Sequence, residues 1–234
     1  MKLIPLITTL SIMLTSASLL SAQAADLADI DKVNGSANIA SEQHYADISL
    51  VNGSINMASN SSAKALTTVN GSINLEDNIL IHSANTVNGK IVAGSGLKVA
   101  KELTTVNGKI NLGANADING EISTVNGAIT LVDSVITGSV TTLNGAITLV
   151  DSVVSGNVTN SNGDINLKGN TVIKGDVIYK SRNKIKSWWS WGEDAKPTLH
   201  IDNNAIVEGN IILKQAVNLQ INNPAMQAKV IDKS

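Results

Sequence analysis

Three sets of residues in this chain are of types that bind ligands or do chemistry. The densest is a basic–aromatic run in which Arg182, Lys184 and Lys186 lead into Trp188, Trp189 and Trp191, the only tryptophans of the chain. Indole faces beside cationic groups stack on sugar rings, sit at a lipid headgroup layer, or dock another protein. The same side chains can instead fold down as a flap over an apolar surface. The second set is Asp133 and Asp151, which occupy the same place in two copies of one ten-residue sequence, NGAITLVDSV. Paired carboxylates serve as acid and base in glycoside hydrolysis. As ordinary corner residues they cap backbone amides. The third set, His44, His82 and His200, shares no repeat position, and the chain has no cysteine, which argues against a zinc centre. No catalytic residue, metal or cofactor is therefore assigned.

What must position these residues is a repeat. Asn-Gly pairs begin at Asn34, Asn52, Asn70, Asn88, Asn107, Asn126, Asn144 and Asn162, in steps of 18, 18, 18, 19, 19, 18 and 18. A fixed period of this size marks a solenoid. After each pair comes x-I-x-L, giving one column of Ala37, Ile55, Ile73, Ile91, Ile110, Ile129, Ile147 and Ile165. A second column holds Ile39, Met57, Leu75, Ala93, Leu112, Leu131, Leu149 and Leu167. Strand residues two apart share a face, so both columns point inward and the mostly polar residues between them point out.

An I/V-x-G-x-V/I element recurs at 118–122, 136–140, 154–158, 173–177 and 207–211, and a further short strand such as Thr105-Val106 leads into each Asn-Gly. The expected fold is all-β: a single-stranded parallel β-helix of about 18 residues per coil, with three short strands per coil and nine or ten coils. The Asn column reads as a structural turn ladder, since both Asn and Gly tolerate the left-handed conformation of a sharp corner. Asn-Gly also signals hairpins, which would give an antiparallel meander. Register decides against that, because only a parallel coil places each residue on its own equivalent, ~4.8 Å away. The absence of Phe and the 2% aromatic content fit a narrow aliphatic core. Thr68, Thr86, Thr105 and Thr124 with the Asn row offer a hydroxyl–amide array that could face water, as on ice-binding β-solenoids. But the row decays to Thr142-Leu143-Asn144 and Asn160-Ser161-Asn162, and Asn at a corner needs no ligand to explain it.

In chain order, residues 1–24 read as a signal peptide: Lys2, an apolar stretch from Leu3 to Leu20, and a small-residue cleavage site at Ala22-Gln23-Ala24. Removing Lys2 takes the formal charge from −2 to −3, which points to no nucleic acid partner. The solenoid domain is expected over 25–221, with an N-terminal cap at 25–32. Gly175 and Gly209 hold equivalent positions 34 residues apart, 16 more than one coil, and that surplus places an insertion within 179–196. A final strand over 217–221 is stopped by Pro224, and 222–234 is expected to be a tail.

The TVNGxI and I-x-G-x-V elements over 33–178 and 199–213 resemble two groups of bacterial proteins. These are the polymer-forming bactofilins and the putative-adhesin β-strand repeat proteins of cell envelopes. The resemblance implies a non-enzymatic scaffold or adhesive role and transfers no site residues. The signal peptide departs from the mostly cytoplasmic bactofilins, and the Trp-rich insertion belongs to neither pattern. Hexapeptide-type acyltransferases share the coil length and the 173–177 and 207–211 pieces, without a matching catalytic His. The functional expectation is an exported envelope protein, periplasmic or at the cell surface. Its partners would be envelope polysaccharide, lipid headgroups or another envelope protein, with self-association through the solenoid ends. A polysaccharide-active enzyme and a self-assembling scaffold are the alternatives.

Overall fold

A computed structural model of the chain describes residues 27–181 and 196–234. The export segment 1–24 and the basic–aromatic residues Arg182, Lys184, Lys186, Trp188, Trp189 and Trp191 lie outside the described residues.

The x-I-x-L segments form three- or four-residue strands that stack in parallel, like on like. Ile55–Met57 lies between Ala37–Ile39 and Ile73–Leu75, with Asn56 opposite Asn38 and Asn74. Ten such strands make one parallel sheet, ending in Asn218–Ile221. Neighbouring segments run in the same direction throughout, as a solenoid of about ten turns requires and a meander forbids. Both predicted inner columns are buried, from Ala37 and Ile39 to Ile165 and Leu167. Each buried Ile or Leu contributes on the order of 2 kcal/mol relative to exposure. The core is thus one continuous aliphatic file along the axis.

The other strands form a sixteen-stranded sheet that forks. In the early coils it is carried by long single strands, Ser62–Asn70, Leu80–Asn88 and Lys98–Asn107. The last of these pairs through its first half with Asp117–Ile118 and through its second half with Ile122–Asn126. Three strands per coil therefore hold only from Asp117 onward; the preceding coils carry two strands each. The cause is Gly120, followed by Gly138, Gly156, Gly175 and Gly209. A Cβ on Gly120 would overlap the carbonyl of Lys101 in the coil beneath, so the chain turns there with no side chain in the way. Where the equivalent residue is Lys101, the strand continues through a bulge between Val99 and Glu102.

The Asn-Gly corners follow the same rule of close approach, which corrects the expected left-handed turn. Only Gly35 and Gly145 of these eight glycines have positive φ. The others sit so close over the preceding Gly carbonyl that a Cβ could not fit. Left-handed residues lie instead at the opposite corner: Asn60, Asn78, Asn115, Asp133 and Asp151, with φ of 61, 58, 60, 44 and 48°. Asn and Asp tolerate this conformation because their short polar side chains bond locally.

Both ends differ from expectation. Ala46 N–H donates to Ala28 O (3.0 Å) and Ile30 stands opposite Ile48, so residues 28–32 belong to the first coil and are not a separate cap. At the other end, 222–234 is an ordered half-turn. Asn223 caps the short helix Pro224–Gln227, and Val230–Asp232 adds in parallel to Ile211–Leu213. Met226 is buried, and its Sδ accepts from Val207 N–H at 3.1 Å. Val207 has no further coil above it, so Met226 takes the place of the next strand.

Candidate functional site

The strand that leads into each Asn-Gly determines what the rod shows to solvent. Its parity is set by the inner residue two places before the threonine: Leu103 is buried, Thr104 points out, Thr105 points in and Val106 points out. The threonine row is consequently inside, against the expectation of a water-facing array. Thr68 Oγ1 donates to Gly53 O and Thr86 Oγ1 to Gly71 O, both at 2.9 Å. Thr105 donates to Gly89 O at 2.9 Å, and Thr124 and Thr142 donate to Gly108 O and Gly127 O at 3.0 Å. Where the row changes residue, Asn160 Nδ2 does the same to Gly145 O at 2.8 Å. The Asn-Gly corner turns its glycine carbonyl inward. A buried carbonyl without a donor costs about 1–3 kcal/mol, which the hydroxyl of the next coil avoids.

Outside stands a row of aliphatics: Val33, Val51, Val69, Val87, Val106, Val125 and Leu143, each 37–65% exposed. Beside it on the same face run Ser49, Thr67, Asn85, Thr104, Ser123 and Thr141, stacked rung on rung. From Thr104 and Val106 on, the two rows wall a shallow groove that continues past Leu143 to Thr159, Ser161 and Lys180. Near that end Gln215 donates from Nε2 to Ser161 O.

The asparagine column forms an unbroken ladder on the adjoining edge. Asn52 Nδ2 donates to Asn34 Oδ1 (3.1 Å), Asn70 to Asn52 (2.9 Å) and Asn88 to Asn70 (2.9 Å). Asn107, Asn126, Asn144 and Asn162 continue it at 2.7–2.8 Å. Every amide points the same way along the axis.

Carboxylates act as fasteners between coils. Asp151 Oδ1 accepts from Asn170 N–H (2.8 Å) and Asn170 Nδ2 (3.1 Å). Asp77 Oδ1 accepts from Ser95 N–H at 2.7 Å, and Asp176 Oδ1 from Asn210 N–H at 2.8 Å. These are charge-assisted bonds across one rung. Asp133 and Asp151 occupy equivalent left-handed corners, consistent with the corner reading. The histidines stand apart. His44 Nδ1 bonds Ser62 Oγ (2.7 Å) and His200 Nε2 bonds Asp202 Oδ1 (2.8 Å). The Asp202 carboxyl is held below the usual carboxylate range, first by the Gly169 N–H and then by His200. Among the described residues no three His, Cys, Asp or Glu side chains gather as a metal site.

The break in the repeat assigns Tyr179 to the insertion. It ends the strand Val177–Tyr179 instead, fully buried between Asn160 and Leu213 of the neighbouring coils. In other coils the Ile amide bonds straight to the next coil, as Ile147 N–H does to Asp164 O (2.9 Å). At the insertion the Tyr179 hydroxyl is interposed. It accepts from Ile165 N–H (3.0 Å) and donates to Thr198 O (2.9 Å). Burial pushes its pKa well above the usual tyrosine range. The sequence signal was parity: counting from Val177 makes Tyr179 an inner residue.

Comparisons with protein-family models, with curated proteins and with solved structures give no match to this chain. The class that fold and surface define is the parallel β-solenoid. Within it, this rod carries a row of exposed aliphatics beside a row of Ser, Thr and Asn, flanked by the exposed carboxylates of Asp47, Glu102 and Glu121.

Proposed function

We propose that the protein is a non-enzymatic, exported β-solenoid serving as a structural or adhesive component of a bacterial cell envelope. The observation that carries this reading is the outer face, a continuous aliphatic and hydroxyl surface on a rigid rod. Asn, Thr and Asp side chains elsewhere are spent on rung-to-rung bonds, a use that favours presentation over chemistry. The export-type N-terminus supports the location. The basic–aromatic run supplies the contact with envelope polysaccharide, lipid headgroups or another envelope protein.

The experiment compares the mature chain with its Trp188→Ala, Trp189→Ala, Trp191→Ala triple variant, measuring binding to isolated envelope fractions alongside melting. Binding should fall severalfold with melting nearly unchanged. A large drop in melting temperature would assign the indoles to packing. Turnover in a glycan panel that is lost in Asp133→Asn or Asp151→Asn would replace this reading with an enzymatic one.

A further inference from the structure

Asn-Gly is a readily deamidated pair, because asparagine is chemically labile and glycine has no Cβ to hinder closure of a succinimide ring. The glycine nitrogen attacks the asparagine Cγ. An N–Cγ bond forms, the Cγ–Nδ2 bond breaks, and the proton of the attacking nitrogen leaves with the amide as ammonia. Water then opens the ring: attack at Cγ gives aspartate, and attack at the backbone carbonyl carbon gives isoaspartate. This chain carries eight such pairs, and all eight asparagines are exposed on one edge of the rod.

The fold restrains them in two ways. Every side-chain amide from Asn52 to Asn144 donates from Nδ2 to the coil before it and accepts at Oδ1 from the coil after it. Cγ cannot swing onto the following nitrogen without breaking both bonds. The nucleophile is held as well: Gly35, Gly53, Gly89, Gly108 and Gly127 N–H donate to Asn52, Asn70, Asn107, Asn126 and Asn144 O at 2.8–3.2 Å. Asn34 has no ladder asparagine before it, yet Gly35 N–H is bonded. Gly71 and Gly145 make no such bond, yet Asn70 and Asn144 are clamped at both ends of the amide. Asn162–Gly163, the last pair of the chain, has neither restraint complete. Asn162 Nδ2 donates to Asn144 Oδ1 (2.8 Å), but among the described residues nothing donates to Asn162 Oδ1 and nothing accepts from Gly163 N–H.

We propose that Asn162 is a self-modifying site, converted to aspartate and isoaspartate through attack by Gly163 N, while the ladder preserves the other seven pairs. The product alters the corner. A carboxylate at 162 cannot donate to Asn144 Oδ1, so two acceptors meet where an N–H had bridged them. Isoaspartate also adds one carbon to the backbone just after the Asn162 N–H, which bonds Leu143 O at 2.8 Å. Ser161 O, the acceptor of Gln215, lies in the same corner. This chemistry belongs to the chain alone and stands apart from the envelope-binding reading, so either can fail without the other.

The mature chain is aged in mildly alkaline buffer and digested, and each Asn-Gly pair is scored for deamidation by mass spectrometry, with fragmentation separating aspartate from isoaspartate. Asn162 should convert at least about tenfold faster than any other pair, the factor that one hydrogen bond left unmade sets on the barrier. In urea all eight pairs should convert at similar rates, which assigns the difference to the fold. Asn126→Ala removes the donor to Asn107 Oδ1 and leaves the Gly108 N–H bonded to the backbone. Conversion at Asn107 should then rise severalfold and stay below that at Asn162. Equal rates at Asn162 and the inner pairs of the folded chain overturn the proposal, as does faster conversion at another pair. A preference for Asn162 that persists in urea overturns it too, and so does an Asn107 indifferent to the loss of its partner, since the ladder would then not be the restraint.

Discussion

Replacing Thr105 by Val changes almost no volume and removes one hydroxyl, so it isolates what the inner threonine row does. The Gly89 carbonyl then stays buried without its donor, and the expected loss is about 1–2 kcal/mol in chemical denaturation, with the fold unchanged. Tyr179→Phe removes a hydroxyl that serves two backbone groups at once, Ile165 N–H and Thr198 O, and should cost about 2–3 kcal/mol. The same residue sets a pH dependence. Its folded-state pKa lies above the ordinary value of about 10. The folded state therefore holds this proton more tightly than the unfolded chain. The stabilisation is complete below pH about 10 and is lost as pH rises further. Denaturation midpoints followed into alkali should fall more steeply for the wild type than for Tyr179→Phe. Parallel curves would show that the hydroxyl is not the group responsible.

At the scale of elements, a single glycine marks whether the long strand of a coil is continuous or divided in two. Gly120→Ala drives a methyl into the Lys101 carbonyl and should destabilise by about 1–3 kcal/mol, measured by thermal and urea unfolding. An unchanged melting curve would mean that the corner has room to relax. The I-x-G-x-V element beginning at Ile118 was legible in the sequence, and the fork of the long sheet occurs at the coil where it starts. What was not legible is that its absence upstream means fusion of two strands into one. A missing corner leaves no motif, only a run such as KVAKELTTVN whose length must be counted. The inward threonines were concealed for a related reason. Hydropathy ranks Val106 above Thr105 for burial, and the opposite placement follows only when the parity from Leu103 and the needs of an inward carbonyl are considered together.

For the whole molecule, period and register were readable because every coil repeats the same constraint. Ile55 on Ile73 and Leu131 on Leu149 are consequences of an 18-residue step, and no distant contact can override them. The ends escape that logic, since the terminal coils have one neighbour instead of two. Hence the sequence alone assigns Ile30 to a cap and Met226 to a tail, although both lie in or against the stack. The orientation of the rungs has a mechanical consequence. The backbone bonds between coils lie along the rod, so a force drawing its two ends apart passes through every rung in series, and the rungs give way one turn at a time. Each turn that gives way frees about 18 residues, or about 60 Å of chain. The rod resists bending as one body and lengthens under tension in steps, like a coil of rope paid out turn by turn.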